Sequence, residues 1–377
     1  MRILIAGGGI AGLSMAIALK QKGFGGVDVV EKADGWRSEG AGLHLPGNAV
    51  LPMEKLGILD DVQKRAFDFQ TIRYCDQKDN RIFDLDLSGD SWPKFQALSR
   101  KDFHEILIAK LGDTPVHFGK EIKSLTQQDE SECGPVTVNF EDGSDGEYDL
   151  VIAADGIHSS LRTLLFGTAL KPVSTGISCW RWTTEISGRD KPHFMLGRGK
   201  ILLVMPISAD KAYVFASLTD NGNPFAEDPA SLIKREFADF GGPVPKILTR
   251  LEEDGPILAG DLLQMIVSDW SKGACVLTGD AAHGTLPTMA QGATMAMEDA
   301  LVLAEELERQ ATVAKAIEAY KARRISRAHW VQQQSLKRMG LARIKSQPLL
   351  ALRHLLMKAF GPKILASGWR PLIDQSF

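Results

Sequence analysis

The chain has 377 residues, 44% hydrophobic and 24% charged, with 36 Gly and 17 Pro. This is the composition of a globular protein with a full core and room for two domains, and it excludes a disordered or fibrous chain. The net charge of −3 hides an asymmetry: from Lys321 onward twelve Lys/Arg face a single acid, Asp374, so a tail of +11 is balanced by −14 elsewhere.

In chain order, RILIA (2–6) reads as a short buried strand. Residues 10–22 carry helical spacing through Ile10, Leu13, Ile17 and Leu19, and VDVVE (27–31) is a second strand. This βαβ start implies a parallel sheet. The interrupting Gly7, Gly8, Gly9 and Gly12 mark the N-terminus as mature structure rather than a signal peptide. Helical stretches are predicted near 47–56 and 101–111, with strands at 71–76, 81–87 and 135–140. Residues 147–154 form a strand ending at Asp155-Gly156, with a helix from about Ser159. Between 173 and 220 come β-rich runs separated by turn residues, so 171–264 is predicted to be a largely antiparallel second module. A strand before Gly279 returns the chain to the first domain, and one long helical region is predicted from about 291 to 338. The predicted domains are 1–70, 97–170 and 265–330 for cofactor binding, 71–96 and 171–264 for substrate, and 331–377 as a helical tail.

No uninterrupted apolar stretch reaches the roughly 18 residues of a bilayer span. In the tail, Leu349, Leu352, Leu355, Leu356 and Phe360 recur at helical spacing, with Arg353, Lys358 and Lys363 among them and Arg343 and Lys345 upstream. This predicts an amphipathic helix whose apolar face either docks on the first domain or lies on an anionic membrane. The four cysteines (Cys75, Cys133, Cys179, Cys275) form no C-x-x-C pair, so no metal site or redox dithiol is expected, and a reducing cytoplasm fits best. No nucleic-acid partner is expected.

Three motifs carry chemistry. Gly7-Gly8-Gly9-Ile10-Ala11-Gly12 is a G-x-G-x-x-G between strand and helix. Gly7 allows the tight turn, Gly9 lets backbone N–H groups reach a pyrophosphate, and Gly12 permits close helix–sheet packing. The helix N-terminus, with Ile10 and Ala11, favours phosphate. Glu31, 19 residues after Gly12 and followed by Lys32, is placed to accept from ribose hydroxyls. This pattern serves NAD and FAD alike. The second motif is Asp155-Gly156, and the third is VLTGDAAHGTLPTMAQGATMAMED (276–299). In the third, a strand, an acidic anchor, a tight loop and a helix N-terminus follow one another. Asp280 suits a polyol chain, and the helix start at Gly292-Ala293 suits an electron-rich ring. No second G-x-G-x-x-G follows a strand, so no separate nicotinamide domain is expected.

These motifs, in this order and spacing, resemble the single-component FAD-dependent aromatic-ring monooxygenases, the group A flavoprotein hydroxylases. Arg37 before GAGLHLPGNA (40–49) and Leu98-Ser99-Arg100 before a helix add to the likeness, which covers roughly 1–330. ISCWRW (177–182) and MAQG (289–292) look like alkylquinolone and hydroxynicotinate hydroxylases respectively. The resemblance implies a Rossmann-like FAD-binding domain with an inserted β-rich substrate domain and C-terminal helices. It implies a cycle in which NADH or NADPH reduces FAD and O2 forms a flavin C4a-hydroperoxide that hydroxylates a small aromatic or heteroaromatic ring. It implies that Glu31 holds the adenosine ribose, Arg37 belongs to the cofactor set, and Arg100 contacts the ribityl-phosphate region. It further implies that Asp155 affects both FAD and the nicotinamide donor, that Asp280 holds the ribityl chain, and that Pro287 borders the reactive ring edge. Gly292 and its neighbours would aim N–H groups at the ring. Ala290 stands where many members have Gly, and Thr294 where Asn is common.

For substrate chemistry, His44 is either a proton acceptor or a loop histidine bonded to backbone. Arg181 either holds an anionic substrate or flanks the flavin, or belongs to a strand of ordinary packing tryptophans. His283 is expected to support its loop. The rival readings are a flavin-dependent halogenase, disfavoured because Thr184-Glu185 replace the Ile-Pro of its signature, a non-hydroxylating flavin reductase or dehydrogenase, and a non-catalytic FAD-binding protein.

Overall fold

The computed structural model describes residues 1–36, 41–89, 92–127, 133–219, 222–340, 343–374 and 377. Arg37, assigned to the cofactor set from sequence, lies outside the described residues.

The first sheet runs Ser271–Lys272, Cys275–Leu277, Leu150–Ala153, Arg2–Ala6, Gly26–Val30, Val116–His117. Arg2–Ala6 pairs in parallel with both neighbours, Leu4 lying opposite Val151 on one side and Asp28 on the other. Ile3, Leu4 and Ile5 are fully buried, as strands covered on both faces require. From the central strand the chain steps first to one side and later to the other. The crevice of that switch point opens at its C-terminal end, at Gly7.

The second large sheet runs Leu258–Gln264, Val173–Glu185, Lys211–Thr219, Lys200–Pro206, His193–Leu196, Thr71–Asp76, Arg81–Asp86. It is antiparallel except where His193–Leu196 pairs in parallel with Thr71–Asp76. Period-two alternation splits its faces. Trp180, Trp182, Leu202, Val204, Val214 and Ala216 form a core with the helices Pro229–Glu236 and Val244–Arg250, whereas Ile177, Cys179, Ile201, Met205, Tyr213 and Phe215 join the main core. The two helices add to the largely antiparallel module read for 171–264. The first begins at Pro229, with Asp228 capping it through Ser231 N, and the second carries Pro245 in its first turn.

A small sheet of Gly42–Leu45, Phe95–Ser99 and Phe67–Phe69 packs on the second large sheet, with Gly42 against Tyr213. The helix expected at 47–56 is a 3-10 turn followed by Val50–Leu56. The strand expected at 147–154 breaks at Asp149, whose carboxylate accepts from Arg2 N at 2.6 Å. The long helix predicted for 291–338 is two, Gly292–Arg309 and Val313–Gly340, the second capped by Thr312 through Lys315 N. The C-terminal helix, Gln347–Asp374, buries Leu350, Met357, Leu365, Trp369 and Leu372 against the body.

Candidate active site

At the glycine turn, Gly7 has φ +114, and a Cβ there would meet Ala154 O at 2.4 Å; one on Gly12 would meet Gly7 O at 1.9 Å. Both contacts demand glycine, while a Cβ on Gly9 would meet nothing within 4 Å, so the helix start is open to a ligand. Ile10 and Ala11 are half-buried at the first helical turn. Glu31 accepts from Gly8 N and Ala33 N, both at 2.9 Å, so its carboxylate is braced beside this opening. Lys32 is exposed. Arg100, exposed at a helix start, sits where its backbone N donates to Ala41 O at 2.9 Å.

Asp155 lies against Gly7, whose added Cβ would approach its Cα to 3.1 Å. One carboxylate oxygen accepts from Leu161 N at 3.1 Å, and the other is buried without a partner among the described residues. Arg162 ties this motif to the next, donating to Ile157 O at 2.7 Å and Ala281 O at 2.9 Å. Its burial lowers the guanidinium pKa.

Gly279 turns at φ +57, and its added Cβ would meet the Ala11 side chain at 2.8 Å, so the two cofactor motifs touch. Its N–H donates to Asp299 at 2.9 Å. Asp299 also binds His283 Nε2 at 2.6 Å and accepts from Arg324 Nε at 2.8 Å; Arg324 reaches Glu298 at 2.7 Å, and Arg327 holds both Glu298 oxygens at 2.8 and 3.0 Å. Burial alone would raise the Asp299 pKa, but His283 and Arg324 outweigh it and hold it at about 2. His283 thus supports its loop, as the sequence suggests. Asp280 itself is exposed, its carboxylate 4.0 Å from a Cβ placed on Gly292. The acidic anchor and the helix start are therefore adjacent.

Pro287 is exposed and opens the 3-10 turn Pro287–Met289. Ala290 follows in the left-handed region, φ 54 and ψ 36, where glycine is relaxed and alanine strained. Gln291 and Asn48 exchange buried amide hydrogen bonds at 3.0 Å each, locking the start of the Gly292–Arg309 helix to the segment after His44. Gly292 and Ala293 are half-buried at that start. Thr294, one of the departures noted in sequence, is buried with no hydroxyl partner among the described residues.

On the substrate side, Arg181 lies opposite Phe215, and Tyr213 opposite Thr183. Alternation places Arg181 and Tyr213 on the face toward the first sheet, whereas Trp180 and Trp182 pack on the far face. The packing reading of this strand holds for the two tryptophans, and Arg181 stands on the other face. Arg181 Nε is buried with no partner among the described residues. Gly42 packs directly on Tyr213, its added Cβ falling 2.3 Å from the Tyr213 Cβ. Burial pushes the Tyr213 pKa well up, opposed by Arg181.

Two residues beyond Gly42, His44 sits among Phe69, Phe95 and Trp369, with ring centroids at 5.3, 6.0 and 6.4 Å. Burial lowers its pKa to about 4, and Nε2 is buried with no partner among the described residues. It is a neutral imidazole with an unused nitrogen. Trp369 donates to Met289 O at 3.1 Å, so the C-terminal helix closes this aromatic wall over the Pro287–Met289 turn. Phe69 and Phe95 also line an open groove of about 520 Å³ with Trp92, Gln70 and Lys94; none of the cofactor-motif residues reaches it.

Asp299, Arg324, Gln291, Asn48 and Trp369 were not singled out in sequence. Each acts through a partner distant along the chain, for which spacing gives no signal. The same holds for Cys75, Asp79 and His193, whose donor atoms lie within 4.8 Å of one another. There His193 Nδ1 contacts Asp79 at 3.2 Å, while the Cys75 thiol donates outside the trio to Phe194 O at 3.8 Å.

An open helix start, a braced carboxylate beside it, and a second acid–helix pair touching the first form a cradle for one dinucleotide with a ring at its far end. The sequence pattern of the FAD binding domain family matches residues 1–221 and 249–335. The chain belongs to that family. It is 30% identical over 372 residues to the FAD-dependent urate hydroxylase of Klebsiella pneumoniae, covering 93% of this chain and 92% of that protein. It is 29% identical over 343 residues to the 2-heptyl-3-hydroxy-4(1H)-quinolone synthase of Pseudomonas aeruginosa, covering 89% and 88%. The crystal structure of Klebsiella pneumoniae HpxO with FAD and uric acid superposes with a TM-score of 0.88 at 28% identity, over 99% of this chain and 96% of that one. The chain is an FAD-dependent monooxygenase with the flavoprotein hydroxylase fold.

Proposed function

We propose that this enzyme uses NADH or NADPH and O2 to hydroxylate a small heteroaromatic ring. The observation that carries the reading is the pairing of a half-buried, neutral His44 whose buried Nε2 has no partner with a half-buried Arg181 whose buried Nε has none, both among the described residues, on surfaces joined through Gly42 and Tyr213. Buried polar groups usually find a partner in protein, water or a ligand, and these two stand on surfaces that meet at Gly42 and Tyr213. The likeness to urate hydroxylase and the quinolone synthase supports a ring that carries an exchangeable N–H or O–H proton.

In this reading, FAD spans from the glycine turn to the Asp280 loop. Gly9, Ile10, Ala11 and Gly12 would present backbone and helix charge to the pyrophosphate, and Glu31, followed by Lys32, would hold the ribose. Arg100 and Asp280 serve the ribityl chain. Gly292 and Ala293 direct N–H groups at the ring, favouring negative charge there. Pro287 would border the ring, and the unpartnered Asp155 oxygen beside Gly7 would serve the cofactor. When bound, FAD stores electrons from the nicotinamide donor and activates O2. His44 Nε2 takes the ring N–H or O–H proton, raising the nucleophilicity of the ring carbon. Arg181 orients the substrate's anionic or carbonyl edge, and Phe69, Phe95 and Trp369 exclude water.

The cofactor body then comprises 1–70, 97–170 and 265–330, and the substrate wall 71–96 and 171–264; the entry of Thr71–Asp76 and Arg81–Asp86 into the seven-stranded sheet supports that division. A reducing cytoplasm suits four cysteines without a disulfide.

The test is anaerobic stopped-flow reduction of the bound flavin by NADH and by NADPH across hydroxypyridines, quinolones and purines including uric acid, followed by mixing with 18O2. A substrate speeds reduction and gains one 18O atom. Nicotinamide oxidation that no compound accelerates, with all oxygen recovered as peroxide, contradicts the proposal.

A further inference from the structure

The C-terminal helix has two faces. Leu350, Met357, Leu365, Trp369 and Leu372 are buried against the body, and Arg353 is buried with them, donating to Leu196 O at 3.1 Å. The opposite face carries Leu349, Leu352, Leu355, Leu356, Phe360 and Ile364, all exposed, with Leu355 and Ile364 at 66% and 64%. The residues whose spacing suggested docking onto the body are thus the ones the body leaves uncovered. A stripe from Leu349 to Ile364 is about 23 Å long at 1.5 Å per residue. Single exposed leucines need no explanation, but six in a row on one helix do.

Charge selects the occupant. Lys358 and Lys363 are exposed on the same helix with no partner among the described residues, and Arg343 and Lys345 are exposed just upstream. From Arg343 to Ile373 there is no acidic residue at all. A second copy pairing face to face would bring only like charges together, because a two-fold interface matches a patch with itself. The strip is also small for that role: about 23 Å by 10 Å is roughly 230 Å², against about 800 Å² per partner in a stable complex. No helix among the described residues is long and apolar enough to cross a membrane. A helix with one apolar face, flanking lysines and no span fits the plane of a bilayer surface, where lysine stems reach up to anionic headgroups.

We propose that the outer face of the C-terminal helix binds the surface of a bilayer containing anionic phospholipid. The leucine and phenylalanine side chains enter the headgroup boundary, and Lys358 and Lys363 contact phosphate and carboxylate groups. The same helix carries Trp369 to the Met289 carbonyl, so the membrane-facing element is joined directly to the aromatic wall around His44.

The experiment is co-sedimentation of the full-length, FAD-loaded protein with vesicles of phosphatidylcholine alone and of phosphatidylcholine with 30% phosphatidylserine. The parent is expected to pellet with the anionic vesicles and stay in solution with the neutral ones. Leu355→Asp/Phe360→Asp should abolish pelleting with an unchanged flavin absorbance spectrum, since both positions are exposed. Lys358→Gln/Lys363→Gln should weaken it roughly 25-fold, about fivefold per lysine, and added salt should weaken it further. A parent that remains in the supernatant with anionic vesicles overturns the proposal, as does a Leu355→Asp/Phe360→Asp variant that pellets like the parent. Sedimentation velocity showing a parent dimer that the same variant splits, without vesicle binding, assigns the face to a second copy instead.

Discussion

The two sides of the flavin cradle differ in how they treat buried charge: the Gly279 side pairs it in a network, while the His44 and Arg181 side leaves side-chain nitrogens unpaired among the described residues. Around Gly279, the buried carboxylates are matched by cations: Asp299 holds a backbone N–H, His283 and Arg324, and Glu298 holds Arg324 and Arg327, although His283 Nδ1 keeps no hydrogen-bond partner among the described residues. Around His44 and Arg181, polar nitrogens are buried with nothing to bind among the described residues. A matched network fixes the position of a loop, whereas an unmatched pair has been desolvated for something else. In the proposed function, the first region holds the cofactor in one place and the second is completed by a substrate.

This contrast can be broken by substitution. The largest effect is expected at His44: His44→Gln should lower kcat by about 10²- to 10⁴-fold through loss of proton transfer while leaving FAD binding intact. Steady-state rates beside an FAD titration check both halves. Next, Asp299→Ala leaves the buried Arg324 and His283 without their carboxylate and should cost about 3–5 kcal/mol of stability. Urea unfolding measures that loss, and flavin release accompanies it.

A third test uses pH. Because the folded His44 pKa of about 4 lies below the ordinary 6.5, the unfolded chain binds a proton that the folded chain refuses between those values. Stability is therefore lost as pH falls from 6.5 toward 4, approaching about 3 kcal/mol from this residue. The difference in urea midpoint between parent and His44→Gln should grow steadily in favour of the variant across that window. The smallest effect is at Ala290, where glycine relieves a left-handed alanine: Ala290→Gly should raise stability by about 1 kcal/mol in thermal or urea unfolding. A destabilised glycine variant would show that the loop draws its shape from elsewhere.

The cofactor end was legible in sequence because its demands are local. A strand, Gly7, Gly12 and Glu31 follow within one βαβ unit, and Gly279-Asp280 sits between a strand and a helix. The substrate end was legible only in part. Arg181 lies beside two tryptophans in sequence, but strand alternation sends them to the opposite face, which becomes visible only once the register with Tyr213 and Phe215 is known. The strand holding His44 was read as loop, since Gly42–Leu45 is short and its pairing partner, Phe95–Ser99, is half a hundred residues away. Trp369 entered the site from the far end of the chain, carried by a helix whose periodicity shows two candidate faces but not which one the body covers. The break between the Gly292–Arg309 and Val313–Gly340 helices carries neither glycine nor proline, and only the Thr312 cap marks it.

The most direct test of the contrast is FAD titration of the apoprotein, followed by flavin fluorescence, in the parent, His44→Gln and Asp299→Ala. Equal, one-to-one binding by the parent and His44→Gln, with at least tenfold weaker binding by Asp299→Ala, is the predicted result. A parent that refuses FAD, or a His44→Gln variant that loses it while Asp299→Ala keeps it, would contradict the account.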